Sequence, residues 1–347
     1  MEHKDEILEP TVLSLITTHR CTSSCHSCCF ECSPKRRRSM TITEAKEYID
    51  ICLEHFSGSI GVLCLTGGEV MLLGIKGVSS ILSYSKQKGL INRIVTNGYW
   101  ATTLQKANQY ISTLCQNGLD EINISTGDEH LKFTPIDNVI NIVQAAEENT
   151  NISGLAVVIE AGENKIYTKE SFVSDLKSRE LKYSPPKLMV LSSPWVDLEN
   201  KHIAFGEDEF VSVDSVPLCR NEGCSNLFRN IQISPTGQIL ACCGFASEYS
   251  PFLKLGNLVY KRKTLKDVWT ESIDNLLYVW LFLDGPKKIV EYLENGEKKV
   301  RPTLHDCEVC VRLLNSKRYL EKICDLSEAK VLDIFLRFNA KLKYIYK

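Results

Sequence analysis

The sequence predicts an α/β protein built on a parallel sheet, curled or open, followed by a smaller cysteine-rich region. Three observations carry this expectation. Short apolar runs alternate about six times with stretches of helical spacing before residue 200. Loops rich in Gly, Asn and Asp fall at the ends of several of those runs. After Leu191 the alternation stops, and a loop-like segment and an acidic stretch lead into a last third dense in cysteine.

The strand candidates in chain order are Thr11–Thr18, Ile60–Leu65, Arg93–Val95, Glu121–Ser125, Leu155–Ile159 and Leu188–Leu191. The first helix opens on Thr41-Ile-Thr-Glu44, a capping-box pattern, and keeps Ala45, Tyr48, Ile49, Cys52, Leu53 and Phe56 on one face. A second spans Gly77 to Gln87 and stops at Gly89. Others cover Ala101–Gln116 and Asp137–Glu148. In such a sheet functional groups sit at the carboxyl ends of strands. The loops Leu65-Thr-Gly-Gly-Glu-Val70, Thr96-Asn-Gly98 and Ser125-Thr-Gly-Asp-Glu-His130 all fall there. Each alone reads as turn chemistry; together they read as one site. In the last third, Asn230–Ala241 reads as two strands around a Pro-Thr-Gly turn, Leu265–Leu283 as one helix, and the C-terminus as a basic helix.

The 347 residues leave room for two domains or for one barrel with an appendage, and 44% hydrophobic content supplies a core. A net charge of −2 gives no global field favouring nucleic acid or an anionic membrane. Neither a signal peptide nor a membrane span is evident in the sequence, so the expected compartment is the cytoplasm.

Fifteen cysteines are many for that compartment, and they are grouped. Cys52, Cys64 and Cys115 lie within apolar patterns and read as small buried hydrophobes. Cys21, Cys25, Cys28, Cys29 and Cys32 form one cluster; Cys219, Cys224, Cys242, Cys243, Cys307, Cys310 and Cys324 form another. Cys21, Cys25 and Cys28 have the spacing C-x3-C-x2-C, which suits soft metal ligation better than disulfides in a chain without export signals. Three thiolates on a cubane of four irons leave one iron open to a substrate or cofactor. Cys29, Cys32 and His26 read as structural or incidental loop residues, and Lys35-Arg-Arg-Arg38 as a solvated charged loop or a dock for an acidic leader.

Cys21, Cys25 and Cys28 after a first strand, with Gly67-Gly68-Glu69 after a second and Thr96-Asn-Gly98 after a third, resemble the radical S-adenosylmethionine (SAM) enzymes. The resemblance covers residues 11–200 and implies a partial (β/α)6 barrel. It departs at Ser27, where the family often has an aromatic residue. The last third resembles the SPASM and twitch auxiliary-cluster domains, through Cys219, the segment from Ile233 to Cys242, Leu255-Gly-Asn-Leu258 with Leu265 and Trp269, and Cys307-x2-Cys310. The implied division is a radical SAM barrel over 1–205 and an auxiliary iron–sulfur domain over 206–347.

The resemblance implies that Cys21, Cys25 and Cys28 hold a [4Fe–4S] cluster whose fourth iron chelates SAM. One-electron cleavage of SAM would then give a 5′-deoxyadenosyl radical that takes hydrogen from a substrate. Gly67 and Gly68 would let the backbone approach the methionine moiety, with Glu69 a candidate partner for its ammonium group. Asn97 and Ser125 are candidates for ribose or carboxylate contacts. Asp128 and His130 are candidates for a substrate or cofactor role. One auxiliary [4Fe–4S] cluster is expected, with Cys219, Cys242, Cys307 and Cys310 as ligands. Auxiliary domains of this type point to a ribosomally made peptide with a leader as substrate, and to a flavodoxin or ferredoxin as electron donor. Cys224 or Cys243 would return a hydrogen atom if the reaction is an epimerisation; a thioether or carbon–carbon cross-link would use the auxiliary cluster instead. The alternatives are a radical SAM enzyme acting on a small molecule or RNA, and a zinc-stabilised binding module.

Overall fold

A computed structural model describes residues 8–345 except 57, 150, 162–164, 182–186, 195–209, 213–222, 261–263, 297 and 302–304. The chain divides into two units, Val12–Leu198 with Ile233–Gly237, and Met1–Thr11 with Glu199–Gln232 and Gln238–Lys347.

In the first unit six strands follow one another: β1 (Val12–Thr18), β2 (Val62–Gly67), β3 (Ile91–Thr96), β4 (Glu121–Thr126), β5 (Gly154–Ala161) and β6 (Leu188–Pro194). Each pairs with the next in parallel. The helices between them are α1 (Ile42–His55), α2 (Ile75–Gln87), α3 (Leu104–Gln116), the short α4 (Asp128–Leu131), α5 (Ile136–Glu148) and α6 (Lys169–Ser178). Right-handed crossovers along a sequential strand order put every helix on one face. Among β1 to β6 the order has no reversal of the kind that marks a doubly wound sheet, which favours the curled of the two shapes left open by the sequence.

The register shows how the two faces differ. Leu15, Leu65, Ile94, Ile122, Leu155 and Leu188 share one row across all six strands. All six are buried. The alternate rows, with Asn123, Ala156 and Met189 aligned and Ser125, Val158 and Leu191 aligned, lie on the opposite face. There Met189 and Leu191 stay 45% and 46% exposed. Alternation of side chains along each strand produces this split.

The predicted capping box forms: Thr41 Oγ1 accepts from Glu44 N at 3.1 Å, and Glu44 Oε2 accepts from Thr41 N at 2.7 Å. Helix α6 has no counterpart among the sequence expectations. Its only buried side chains are Phe172 and Leu176, too few to stand out as a periodic face. Cys52, Cys64 and Cys115 are buried, as their apolar surroundings imply.

The second unit contains β7 (Phe210–Ser212), β8 (Asn230–Ile233), β9 (Gln238–Leu240), β10 (Lys254–Asn257) and β11 (Lys298–Val300). β9 pairs antiparallel with β10, and β7 with β11. Its helices are α7 (Ala246–Tyr249), α8 (Leu265–Ile273), α9 (Leu276–Leu293), α10 (Asp306–Asn315), α11 (Lys317–Cys324) and α12 (Glu328–Ile345). The single helix expected over Leu265–Leu283 is two. Asn275 breaks it by capping a new one, its Oδ1 accepting from Leu277 N at 3.0 Å and Tyr278 N at 3.4 Å. Helix α9 then runs on past a kink at Gly285 (φ 73°), just before Pro286. No helix among the described residues is long and apolar enough to cross a membrane.

Candidate functional site

The loop after β1 is tied down by backbone bonds before any metal is considered. Cys21 N donates to Ser33 O at 3.2 Å and Ser33 N to His19 O at 3.4 Å, closing its two ends. Its middle is held by His26 N, which donates to Glu129 Oε2 on α4 at 3.0 Å. Cys21 is buried; Cys25 and Cys28 are half-buried. Among the described residues no group of three or more His, Cys, Asp or Glu side chains converges to hold a metal ion. The Cys25 sulfur senses the charges of both Cys28 and Cys21. Three N–H groups already point at the sulfurs: Ser23 N to Cys21 Sγ at 3.4 Å, Asn97 Nδ2 to Cys21 Sγ at 3.6 Å, and Cys32 N to Cys28 Sγ at 3.3 Å. Burial pushes the Cys21 and Cys25 thiols up, whereas hydrogen bonding from Cys32 brings Cys28 down to about 6. A cationic iron–sulfur core would reverse the burial penalty that keeps the first two protonated.

The loop after β2 passes so close to the cysteine loop that two positions exclude a side chain. A Cβ on Gly68 would stand 2.2 Å from Arg20 O, and one on Gly67 2.5 Å from Thr18 O. Gly67 also has φ +123°, open chiefly to glycine. Gly68 N donates to Thr18 O at 2.7 Å and Glu69 N to Arg20 O at 3.0 Å, which seals this approach.

Glu69 is fully buried. Its Oε1 accepts from Met71 N at 3.0 Å and Thr96 Oγ1 at 2.8 Å; its Oε2 accepts from Asn97 N at 2.8 Å and Thr96 Oγ1 at 3.0 Å. Burial nonetheless pushes its carboxyl up to about 7, against the pull of these donors. The side chain named from sequence for an ammonium contact is thus buried and held by these donors.

Asn97 follows β3. Its Nδ2 donates to Thr22 Oγ1 at 3.0 Å and Ser23 Oγ at 3.2 Å as well as to Cys21, and its Oδ1 accepts from Tyr99 N at 3.0 Å. It joins the end of the third strand to the cysteine loop. Ser125 is half-buried in β4, level with Val158 and Leu191 on the helix-free face. Asp128 accepts from Ile166 N at 2.7 Å and Tyr167 N at 2.9 Å, holding the connection after β5.

His130 leads to a residue that sequence reading did not single out. Its Nδ1 lies 2.7 Å from Glu160 Oε1, at the end of β5. Glu160 also accepts from Glu129 N at 2.9 Å, His130 N at 3.1 Å and Lys165 Nζ at 3.2 Å. Burial opposes ionisation of Glu160, but His130, the Glu129 N–H and Lys165 hold it below the ordinary carboxylate range. The fields of Glu160 and Glu129 reach Cys25, and that of His130 reaches Cys28. The available signal was an acidic residue closing the apolar run Leu155–Ile159, where a buried strand would otherwise end on a turn residue.

In the second unit five cysteines gather. Cys242 and Cys243 follow β9; Cys307 and Cys310 lie one turn apart on α10, whose start is capped by His305 Nδ1 accepting from Cys307 N at 3.1 Å. Cys224 is set by its N–H to Leu281 O at 3.0 Å. Burial pushes Cys242 and Cys310 well up, Cys307 to about 12 and Cys243 to about 11. Cys310 senses Cys242, Cys307 and Cys224, and Cys242 and Cys307 both sense Cys224. A Cβ on Gly244 would meet Cys307 Sγ at 2.9 Å and Cys242 Sγ at 3.7 Å, so this glycine lets the two sulfurs share a wall. Cys219 lies outside the described residues. Cys324 is exposed.

Comparison with known proteins agrees with this arrangement. Residues 15–160 match the Radical SAM superfamily. The chain is 30% identical over 145 residues to the peptide biosynthesis protein YydG of Bacillus subtilis (strain 168), covering 40% of this chain and 43% of YydG. It is 25% identical over 347 residues to the antilisterial bacteriocin subtilosin biosynthesis protein AlbA of the same organism, covering 91% of this chain and 71% of AlbA. The match thus spans under half of the first relative. Among solved structures, anSMEcpe with bound AdoMet superposes with a TM-score of 0.57 at 11% identity, covering 96% of this chain and 99% of that one. At that identity the likeness concerns the fold.

Proposed function

We propose that this chain, whose residues 15–160 form a radical SAM domain, is an enzyme that modifies a ribosomally made peptide. The observation that carries the reading is the cysteine loop with N–H donors at its sulfurs, locked against the Gly-Gly-Glu loop. The names of YydG and AlbA, one for peptide biosynthesis and one for a bacteriocin, support a peptide substrate. A zinc module accounts for neither the radical SAM match nor the glycine loop.

Cys21, Cys25 and Cys28 would hold a [4Fe–4S] cluster. With SAM bound, that cluster supplies one-electron cleavage and a radical able to take hydrogen from carbon. The protein's own part is positional. Gly67 and Gly68 bring the loop after β2 against the cysteine loop, where a side chain would strike Thr18 O or Arg20 O. Glu69 acts through Asn97 and the turn at Met71, fixing the loop whose backbone would meet the methionine end of SAM, with its own carboxylate the candidate partner for the ammonium group. Asn97 keeps the third strand end against Cys21. Ser125 offers a hydroxyl on the helix-free face, where ribose or substrate would lie. Asp128 fixes the connection beyond β5, and the buried Glu160 orients the His130 ring beside the cysteine loop.

In the last third, Cys224, Cys242, Cys307 and Cys310 lie within reach of one another's charges, with Cys243 close to Cys224, Cys242 and Cys307. We assign the auxiliary cluster to Cys242, Cys307 and Cys310, with Cys224 as the fourth ligand among the described residues and Cys219, outside them, as the alternative. Cys243, beside them, is then the thiol available to return a hydrogen atom. Burial keeps it protonated, the form from which a hydrogen atom is given. A one-electron donor of the flavodoxin or ferredoxin kind completes the system.

The test is anaerobic reconstitution with iron, sulfide, SAM and a candidate peptide in deuterated water, read by mass spectrometry. One incorporated deuterium without mass loss indicates epimerisation, and loss of two hydrogens indicates a cross-link. Formation of deoxyadenosine with no change in any peptide tried, but with turnover of a small molecule or RNA, overturns the peptide assignment. Replacing Cys243 by Ala should block deuterium uptake; loss confined to Cys219→Ala would move the donor role there.

A further inference from the structure

We propose that the basic run Lys35–Arg38 is the docking surface for an acidic one-electron carrier protein, with Lys35 and Arg37 as its recognition residues. The inference rests on the reading that Cys21, Cys25 and Cys28 hold a cluster that must be reduced. The chain as a whole carries a charge of −2, so an acidic partner meets no overall attraction and must be drawn by one face. The run supplies four cations in succession, and Glu31 is the only acid between Cys28 and Met40. All four cations are exposed. Arg36 is turned to Glu31, its Nη2 3.5 Å from Glu31 Oε2 and its Nε donating to Glu31 O at 3.3 Å. Arg38 donates from Nε to Pro235 O at 3.0 Å, and its Nη2 lies 3.5 Å from Glu44 Oε1. The charged ends of Lys35 and Arg37 have no ion pair or hydrogen bond among the described residues. Their attraction is left for a partner.

The backbone fixes where these cations stand. Arg36 N donates to Ser33 O at 3.2 Å, which turns the run back on the cysteine loop. Beyond it, His19 N donates to Arg38 O at 3.0 Å, Thr18 bridges to Ser39, and Met40 N donates to Thr17 O at 2.8 Å, pinning the run to the end of β1. Ser33 O also accepts from Cys21 N at 3.2 Å, and Cys32 N points at Cys28 Sγ from 3.3 Å. Lys35 Cα is therefore within about 11 Å of Cys32 Cα however the chain turns. A carrier held by the run is joined to the sulfurs by a short path, and electron transfer weakens steeply with distance. One electron leaves the carrier for the cluster, and no bond is made or broken. An acidic leader peptide would feel the same charge, but binding a leader gives no reason for the run to be tied to both Cys21 and Cys28.

The probe is a bacterial flavodoxin, acidic at its surface, titrated into the full chain reconstituted anaerobically. Calorimetry reads binding at low and high salt. Cluster reduction is read by the electron paramagnetic signal that changes when SAM is added. The double variant Lys35→Glu, Arg37→Glu should weaken binding about tenfold or more at low salt, and the gap should narrow as salt rises. Reduction by flavodoxin should slow with it, while dithionite, a small reductant that needs no docking surface, should reduce variant and parent alike. The control pair Lys266→Glu, Lys317→Glu makes the same change of net charge at exposed positions elsewhere and should bind as the unsubstituted chain does. Equal weakening in the two double variants, or none in either, overturns the inference. So does lost affinity for polyglutamate in the first variant with flavodoxin binding unchanged, since the run would then serve an acidic peptide. If dithionite gives no SAM-responsive signal in the unsubstituted chain, the cluster reading fails instead.

Discussion

Thr96 and Glu69 are joined across two neighbouring strand ends by one hydroxyl. Thr96 Oγ1 donates between both Glu69 carboxylate oxygens, at 2.8 and 3.0 Å, and accepts from Gly98 N and Trp100 Nε1, each at 3.1 Å. One donor and two acceptor positions are all that a hydroxyl has. Thr96→Val keeps the shape and removes every one of these bonds. It should cost about 3 kcal/mol, because the Trp100 N–H and Gly98 N–H are left buried and unpaired. Chemical denaturation measures the loss, and SAM affinity should fall with it.

Glu69 titrates near 7 in the folded chain against 4.5 in the unfolded one, a raised value caused by burial. Its contribution to stability is therefore full below pH 4.5 and is lost as pH rises through about 7. The denaturation midpoint of the unsubstituted chain should drop between pH 4.5 and about 7 and level off above that. Glu69→Gln cannot titrate and should flatten that drop.

Gly68→Ala sets a methyl 2.2 Å from a backbone oxygen that has no rotamer to escape into. Overpacking of this kind costs about 3 kcal/mol and should separate the two loops, abolishing SAM binding. Gly61→Ala is the control, with nothing within 4 Å of the new Cβ and an expected change within about 0.5 kcal/mol.

Single replacements of Cys224, Cys242, Cys307 or Cys310 by Ser should each remove about four irons per chain, the content of one cubane. Cys243→Ser should remove none. The SAM-responsive cluster at Cys21, Cys25 and Cys28 should persist in all five variants. Iron and sulfide analysis on anaerobically purified protein decides this.

In the second unit Asp284 accepts from Trp280 Nε1 at 3.0 Å and from Arg337 Nη1 and Nη2 at 3.0 and 2.5 Å. Burial works against its charge, yet Arg337 holds the carboxyl below the usual 3.8. Arg337→Ala should cost about 2 kcal/mol at pH 7, moderated because the arginine is 44% exposed. A depressed carboxyl contributes above its unfolded value and loses that contribution as pH falls through the folded one. The difference between variant and parent should thus shrink below about pH 3.8.

Most of the strands were legible because they bury a row of apolar side chains, which leaves a continuous signature such as Leu155–Ile159, whereas β3, whose buried row is Asn92, Ile94 and Thr96, showed only the short run Arg93–Val95. The site loops were legible because the chemistry demands particular residue types at strand ends. What escaped was what depends on distant partners. Glu160 is defined by His130, thirty residues away. The inward turn of Glu69 follows from Thr96 and Asn97 on another strand. Asn275 looked like one polar residue in a helical run, and it became a cap only because Leu277 and Tyr278 present their N–H groups to it. Grouping Cys224 with Cys242, Cys307 and Cys310 required three separate segments to meet.

The grip on the cysteine loop also fixes an order of assembly. Ser33 and His19 close its ends and Glu129 holds His26 through protein–protein bonds alone. In a zinc finger the ion organises the chain, and without it there is no fold. Here the ends and the middle of the loop are held by the chain's own bonds, so a chain stripped of iron by chelation is expected to keep this region folded, with circular dichroism of the stripped chain as the check.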